Sequence, residues 1–205
     1  MKNIILKFVA AFSLIIFSHK LMGLLYRIFS LFCSYRFFLS ILNSKGRGLI
    51  QYPFYALGHK YMSIGSNFSA GPGFRVECID NYGHDTFRPL LIIGDNVSFN
   101  FRCHIGVINK VVIEDNVLVG SNVLITDHFH GKTLKRELQI APIERSLFSK
   151  GPVIIEKNVW IGENVCVLPN VKIGHNSIIG ANSVVTHDIP PYSIAVGNPV
   201  RIVKI

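Results

Sequence analysis

A six-residue pattern repeats six times without interruption between Ile155 and Pro190. Each copy begins with an aliphatic residue, carries Asn or Asp at its fourth position and has a small or aliphatic residue at its fifth. Neither an α-helix, with 3.6 residues per turn, nor an alternating strand places an aliphatic residue at every sixth position. A coil of short flat faces joined by tight corners does, and so short a period is typical of a solenoid. The pattern therefore predicts an all-β solenoid, and not a β-sandwich, whose turns are spaced about 8–12 residues apart.

Each position of the repeat has a predicted role. The aliphatic first residue points inward and the fifth residue shares that interior, while Gly and Asn tolerate the positive φ of a sharp corner. One face of six residues cannot bury a core alone, so stability must come from stacked coils.

The same rule extends upstream with two interruptions. It begins faintly at Ile64, is broken by residues 82–90, resumes at Ile93 and breaks again after Ile125. With three faces of six residues per coil, the chain predicts about five coils. Functional residues of such folds collect in loops that leave the scaffold, so both interruptions are candidates. The second, residues 126–154, is longer and richer in chemistry.

The first 60 residues differ from the rest in charge. Nine Lys and Arg residues precede the first acid, Glu77, whereas the other twelve are balanced by twelve Asp and Glu. The net charge of +9 therefore belongs to the N-terminal part. The four cysteines show no C-x-x-C spacing, which predicts free thiols of a cytosolic protein.

Two apolar runs, residues 4–17 and 21–42, predict two helices packed on each other and on the end of the solenoid. Residues 44–61 read as a connector. We therefore expect a basic, apolar helical segment over residues 1–60 and a solenoid domain over residues 61–205.

The helical segment predicts contact with an anionic membrane surface at the cytoplasmic face, and a purely intramolecular cap is the alternative. The first run is shorter than the roughly 20 residues that a membrane span needs. Arg27 and Arg36 lie on opposite sides of the second, and no small-x-small cleavage site follows the first. Nucleic acid is not an expected partner, because Phe and Leu interleave the cations and no recognised nucleic-acid motif is present.

Four segments carry a resemblance to a known family: Asn-Val-Trp-Ile-Gly at 158–162, Gly-Ala-Asn-Ser-Val-Val-Thr at 180–186, Asp-Ile-Pro-Pro at 188–191 and Gly-Asn-Pro-Val-Arg at 197–201. Over residues 62–205 the chain resembles the hexapeptide-repeat acyltransferases. Within them it is similar to the branch of galactoside and maltose O-acetyltransferases and of enzymes that acetylate exopolysaccharides and O-antigens. The resemblance implies a left-handed parallel β-helix, a homotrimer with active sites in the clefts between subunits, acetyl-CoA as co-substrate and a carbohydrate acceptor.

The resemblance also implies roles for individual residues. It makes His128 the catalytic base and gives Asn100 and Trp160 contacts to the acceptor. His130, two residues on and on the same side of the chain, is the runner-up base and a further acceptor-binding candidate. The implied cofactor-binding residues are Trp160, Gly162, Ala181, Thr186 and Arg201. The chain departs from the family at two positions, with Glu163 in place of a serine and His187 in place of a lysine.

The expected chemistry is acetyl transfer from a thioester to a sugar hydroxyl. An alcohol is a poor nucleophile until its proton begins to leave, and a positioned histidine base contributes about 10²–10⁴ in rate. Asn100 can hold the acceptor hydroxyl by its amide. Asp127 is expected to point away from His128, since neighbours on an extended chain face opposite sides.

Other functions on the same scaffold remain open. The preferred acceptor is a sugar of a surface polysaccharide or of its lipid-linked precursor, and N-acetylation of an amino sugar or acetylation of serine are alternatives within the enzyme class. A catalytically inactive scaffold is a further alternative. A zinc hydratase needs three imidazoles on one metal, whereas His128 and His130 are two residues apart and His104 is far off in sequence, so no metal is expected.

Overall fold

The computed structural model describes residues 2–16, 18–44 and 48–203. Two helices come first, α1 at Lys2–Ile16 and α2 at His19–Ser40, as the two apolar runs predict. Lys45 and Arg47, two of the nine N-terminal cations, lie outside the described residues. A parallel β-solenoid follows, interrupted by a short helix, α3 at Lys135–Leu138, and by 3₁₀ turns at His59–Tyr61 and Pro142–Glu144.

Three parallel sheets form the solenoid, and we call them faces A, B and C. In order along the stack, face A consists of Asn43–Ser44, Met62–Ile64, Leu90–Ile93, Lys110–Ile113, Val153–Ile155 and Val171–Ile173. Face B consists of Leu49–Ile50, Ser69–Ala70, Ser98–Phe99, Leu118–Val119, Trp160–Ile161, Ile178–Ile179 and Ile194–Val196, followed by the antiparallel Arg201–Val203. Face C consists of Phe54–Leu57, Phe74–Cys78, His104–Val107, Leu124–Thr126, Cys166–Val167 and Val184–Val185.

The chain visits faces A, B and C in that order six times, which makes six coils where the sequence predicted about five. The additional coil is the first, within residues 43–57, which the sequence analysis read as a connector. Its strands pair in parallel with those of the second coil, although the six-residue pattern is not recognisable there. The solenoid thus begins inside the segment assigned to residues 1–60.

The interior follows the repeat as predicted. All six first-position residues of the regular region are completely buried. They are Ile155, Ile161, Val167, Ile173, Ile179 and Val185. The fifth-position residues, including Ser177 and Ser183, are buried beside them. Burying an aliphatic side chain of this size contributes about 1.5–3 kcal/mol, so the stacked coils supply their own core.

The corners also follow the prediction. Nine asparagines have positive φ, between 55° and 62°. Five of them stack at the corner between faces A and B, where each side-chain amide donates to the next side-chain oxygen over 2.9–3.1 Å. This ladder contains Asn67, Asn96, Asn116, Asn158 and Asn176. Asparagine therefore serves the corner twice, by tolerating the left-handed backbone and by linking successive coils.

Helix α2 covers the open edge of the first coil. Ser34 Oγ accepts the backbone N–H of Ile50 at 2.8 Å, and Ser30 Oγ accepts that of Tyr52 at 3.1 Å. Phe37, one turn further on, is buried against the core and packs edge-to-face on Phe54. Helix α2 therefore packs on the end of the solenoid, where the helical segment was expected.

The four cysteines are free, as predicted. Cys78 and Cys103 are buried, and Cys33 and Cys166 are half-buried. Burial, followed by the nearby charge of Asp127, raises the pKa of the Cys78 thiol to about 12. Cys78 is therefore a packing residue and an unreactive thiol.

Candidate active site

A cavity of about 380 Å³ lies on the outer surface of face C. Its floor is a column of four residues in register on successive coils: Leu57, Glu77, Gly106 and Thr126. Side chains in a parallel sheet that share a register position point the same way, so this column presents one continuous surface to the cavity. The cavity thus spans coils one to four.

The two interruptions of the repeat form the wall of this cavity. Tyr82 comes from the hairpin of Asn81–Tyr82 and Asp85–Thr86, and His130 from the hairpin of Phe129–His130 and Leu147–Phe148. The Tyr82 hydroxyl donates to the backbone oxygen of Ile143 at 2.9 Å and lies 3.4 Å from Nδ1 of His130. The two excursions singled out in the sequence therefore meet each other over face C.

His128 lies in the cavity just after the last residue of its face C strand, Thr126. Its Nδ1 is 3.0 Å from Oδ1 of Asp127, a fully buried side chain. The two carboxylate oxygens of Asp127 also accept the backbone N–H groups of Ile108 and Asn109, at 2.9 and 2.8 Å. A carboxylate held in this way accepts the Nδ1 proton of His128, which leaves Nε2 as the acceptor that a general base requires.

The expectation that Asp127 points away from His128 is wrong. The strand ends at Thr126, so the alternation of an extended chain no longer governs the next two side chains. Asp127 turns inward to the backbone of Ile108 and Asn109, and Nδ1 of His128 lies within hydrogen-bond distance of its carboxylate.

Gly106 makes room for the imidazole of His128. A Cβ atom placed on Gly106 would lie 3.0 Å from Cε1 of His128 and 3.6 Å from Oγ1 of Thr126. Any side chain at position 106 would press on the ring. This residue belongs to the family-like Ile-Gly pattern, but only the register of face C shows that a side chain at this position would meet the ring of His128.

Beside His128 the floor carries a charged cluster of Arg75, Glu77 and His104. One oxygen of Glu77 is 2.8 Å from Nη2 of Arg75 and 3.0 Å from Nε2 of His104. Burial lowers the pKa of His104, the charge of Arg75 lowers it further, and the hydrogen bond to Glu77 offsets only part of this effect. His104 is therefore neutral near pH 7 and donates to Glu77.

The sequence pattern did not predict this cluster. His104 entered the predictions only as a rejected zinc ligand, and Glu77 only as the first acid of the chain. The alternation of side chains along a strand could have indicated part of it, because positions 75 and 77 point to the same, outward side of one strand. Position 104 is the register partner of position 75 on the next strand.

The predicted site residues fall into two groups within one chain. Of the eight, all described by the structure, His128 and His130 line the cavity. The others lie along face B and the corners of later coils, or follow face C. Asn100 is exposed directly after a face B strand, and Trp160 is 51% exposed on face B.

The predicted cofactor residues stay together on the later coils. Gly162 stacks on Ala181, so closely that a Cβ on the glycine would lie 2.7 Å from the alanine nitrogen. Oγ1 of Thr186 is 3.1 Å from Nδ1 of His187, and Arg201 is exposed on the antiparallel strand that closes face B. Within a single chain these cofactor residues do not line the cavity that contains His128. Their role in binding the cofactor stays a prediction.

Within residues 2–16, 18–44 and 48–203, no group of three or more His, Cys, Asp or Glu side chains is arranged to hold a metal ion.

Two family models match the repeats. The model "Bacterial transferase hexapeptide (six repeats)" matches residues 152–187, and "Hexapeptide repeat of succinyl-transferase" matches residues 110–127. Both lie in regions where the six-residue rule is regular.

Relatives extend the likeness over most of the chain. The putative lipopolysaccharide biosynthesis O-acetyl transferase WbbJ of Escherichia coli is 38% identical over 160 residues, 76% of this chain and 78% of its own length. The galactoside O-acetyltransferase of Escherichia coli is 39% identical over 117 residues, 55% of this chain and 52% of its own length. The chain thus spans about half of the galactoside enzyme and about three quarters of WbbJ.

A solved structure supports the fold. AntD, an N-acyltransferase from Bacillus cereus in complex with an amino-sugar nucleotide and coenzyme A, superposes with a TM-score of 0.62 at 20% identity, over 81% of this chain and 84% of its own. The parallel sheets together with this neighbour fit a left-handed β-helix. The chain belongs to the hexapeptide-repeat transferase family, and it is an acyltransferase of the acetyl-CoA-dependent kind.

Proposed function

We propose that the protein transfers the acetyl group of acetyl-CoA to a sugar hydroxyl of a surface polysaccharide or of its lipid-linked precursor, with His128 as general base. The observation that carries this proposal is the His128–Asp127 pair at the edge of a cavity on face C, with Nδ1 of His128 held 3.0 Å from the buried carboxylate. The likeness to WbbJ favours a sugar of a surface glycan as acceptor.

His128 performs the proton transfers in this scheme. Its Nε2 takes the proton of the acceptor hydroxyl while the hydroxyl oxygen attacks the thioester carbonyl, and it returns that proton to the sulfur as the C–S bond breaks. Asp127 keeps the ring in one orientation and stabilises the imidazolium that forms between the two steps. Such a base contributes about 10²–10⁴ in rate.

The charged floor suits a carbohydrate acceptor. Glu77 offers a carboxylate whose orientation is fixed by Arg75 and His104, and a fixed acceptor of hydrogen bonds beside the base selects a hydroxyl in one position. His130 and Tyr82 close the cavity on the other side and can contact a sugar ring.

The separation of the predicted residues supports a homotrimer. His128 lies where face C leads toward face A, whereas Asn100 and Trp160 lie beside or on face B of the same chain. In the proposed trimer, the face B side of one subunit would approach the face C cavity of the next. Each active site would then combine His128 from one copy with Trp160, Gly162 and Ala181 from its neighbour, and acetyl-CoA would lie along the later coils between them.

The catalytic role is tested by His128→Ala, with His84→Ala as matched control. His84 is an exposed histidine of the first excursion that does not line the cavity. We expect His128→Ala to lower kcat by about 10²–10⁴ at unchanged thermal stability, and the control to retain wild-type kcat. Full activity of His128→Ala would contradict the assignment.

The shared site is tested by mixing two inactive variants. His128→Ala and Trp160→Ala proteins, unfolded and refolded together, form some clefts in which both residues are intact. Activity should reappear in the mixture and not in either variant alone. Mixed oligomers that stay inactive would show that both residues act within one chain.

The bond formed distinguishes O-acetylation from N-acetylation. An ester product is cleaved by neutral hydroxylamine, whereas an amide survives it. We expect acetyl groups on the acceptor to be labile, and stable acetylation of an amino-sugar acceptor would replace the proposal with the N-acetyltransferase alternative.

A further inference from the structure

Helices α1 and α2 expose an unusually apolar surface. Seven large apolar side chains of α1, between Ile4 and Leu14, are each 60–75% exposed. Ten more on α2, between Met22 and Leu39, are also exposed. A soluble surface rarely carries so large a continuous apolar patch unless something covers it.

The exposed surface of α2 has a defined direction. At 100° per residue, the stripe that packs on the first coil contains Ser30, Ser34 and Phe37. Phe32 and Leu39 lie about 180° from that stripe and are 56% and 68% exposed. The helix thus turns one side to the solenoid and an apolar side outward.

The charges on this surface have one sign. Lys7, Lys20, Arg27 and Arg36 are exposed on the two helices, and no acidic residue precedes Glu77 in the sequence. A protein partner would have to be both apolar and acidic over the same area. A bilayer with anionic lipids offers acyl chains to the apolar side chains and phosphates to the cations, whose long stems reach the head groups.

We propose that α1 and α2 dock on an anionic membrane, with α2 lying in the plane of the membrane and the solenoid standing upright on it. By length and composition α2 could cross a membrane, and it is the one helix among the described residues that meets this criterion. Its packing argues for the in-plane position. Ser30 and Ser34 bind the backbone of the first coil, so a spanning α2 would have to break these contacts.

The upright position sets the height of the cavity. Coils of a β-stack are about 4.8 Å apart, so His128, after the fourth strand of face C, lies about 14 Å beyond the first coil. The cavity starts at Leu57 on the first coil and extends to Thr126 on the fourth, so it begins at the end of the solenoid that faces the membrane. The consequence for substrate rests on the proposed acetyl transfer: the acceptor is a sugar on a lipid carrier, held close to the membrane.

Docking is tested by sedimentation with phosphatidylcholine vesicles, with and without phosphatidylglycerol. The full chain should bind the anionic vesicles, less so at high salt. Lys20→Glu/Arg27→Glu should weaken binding at least about tenfold, because each surface cation contributes several-fold. The matched control, Lys135→Glu/Arg136→Glu, makes the same charge change on exposed residues of α3 and should bind like the wild type.

Two results would overturn docking. One is equal loss of binding in both charge-reversal variants. The other is that the wild-type chain does not bind the vesicles and that Phe12→Ser/Phe32→Ser changes the oligomeric state. The apolar surface would then be an interface with a second copy of the chain.

Orientation is tested with the protein's single tryptophan. Trp160 lies on the fifth coil, about 19 Å beyond the first, so lipids with brominated chains should leave its fluorescence unquenched. Phe32→Trp in a Trp160→Phe background should be strongly quenched. Equal quenching at both positions would show that the solenoid lies flat. Neither experiment measures acetylation, so docking can fail while the proposed chemistry stands, and the reverse.

Discussion

The first four coils and the last two stack their strands in the same three parallel faces but differ in what they carry. The fifth and sixth coils follow the repeat without interruption, and their strands bury every first-position residue. Coils one to four contain both excursions, the cavity, and His128 with Asp127. Regular sequence thus gives packing, and the departures from it give the cavity and its polar side chains. Substitutions in the two regions should therefore separate stability from activity.

The largest expected effect is on stability, in the fifth coil. Ile161→Ala removes a completely buried side chain between stacked coils and should lower the free energy of unfolding by about 2–5 kcal/mol. The control is Leu118→Ala, one coil earlier on face B, whose side chain is 48% exposed and whose loss should cost about 0.5 kcal/mol or less. Urea titration measures the free energy of unfolding of both variants. Equal midpoints would show that the inward position 161 contributes no more to stability than the exposed position 118.

The next effect is on activity, in the third coil. Gly106→Ala places a Cβ 3.0 Å from Cε1 of His128, so the ring must move by a few tenths of an ångström. If His128 is the base, as proposed, we expect kcat to fall by about 10–100-fold with KM nearly unchanged, since small misplacements of a catalytic group cost this much. Gly23→Ala, with open space around the new Cβ, is the matched control and should leave kcat unchanged. An unaffected kcat in Gly106→Ala would show that Gly106 does not position the proposed base, His128.

A smaller effect belongs to the corner of the fifth coil. Asn158 has φ of 60° and takes part in two side-chain hydrogen bonds of the ladder. Asn158→Ala should destabilise the fold by about 1–2 kcal/mol, because alanine resists the left-handed region. Asn158→Gly loses the same hydrogen bonds without that backbone cost and should be the milder of the two. If Asn158→Gly destabilises the fold as much as Asn158→Ala, the lost hydrogen bonds of the ladder contribute more to the effect than the left-handed backbone conformation.

The smallest effect is a pH dependence in the charged floor. Burial lowers the pKa of His104 in the folded protein below its ordinary value of 6.5. The folded state therefore favours the neutral ring, and this contribution is fully present above about pH 6.5 and is lost as the pH falls toward the folded pKa. Chemical denaturation between pH 7.5 and about 5 should show a loss of stability that His104→Gln reduces. Identical profiles of stability against pH for the wild type and His104→Gln would show that His104 does not cause this loss of stability.

The sequence predicted what depends on the repeat. Solenoid class, inward aliphatic positions, asparagine corners, two helices and the position of His128 at a break all follow from local pattern. The first coil was missed because residues 43–57 form parallel strands without the six-residue signature, and only their pairing to the second coil reveals them.

The floor of the cavity could not be predicted from local sequence pattern, for a different reason. Glu77 and His104 are 27 residues apart in sequence and meet only through the register of face C. The inward turn of Asp127 depends on backbone N–H groups at Ile108 and Asn109, two residues that no motif connects to it. Such contacts are set by stacking, so a count along the chain cannot find them.

The reversal of the chain at its last strand has a consequence for solubility. Face B ends with Ile194–Val196, and Arg201–Val203 pairs with it in the opposite direction, while α2 occupies the other end of the same face through Ser30 and Ser34. A parallel stack left open at both ends could add further molecules end to end without limit. Among the described residues, α2 occupies the outer edge of the first strand of face B, and the last strand runs antiparallel to the stack. A further molecule therefore finds no parallel strand to extend at either end of that sheet.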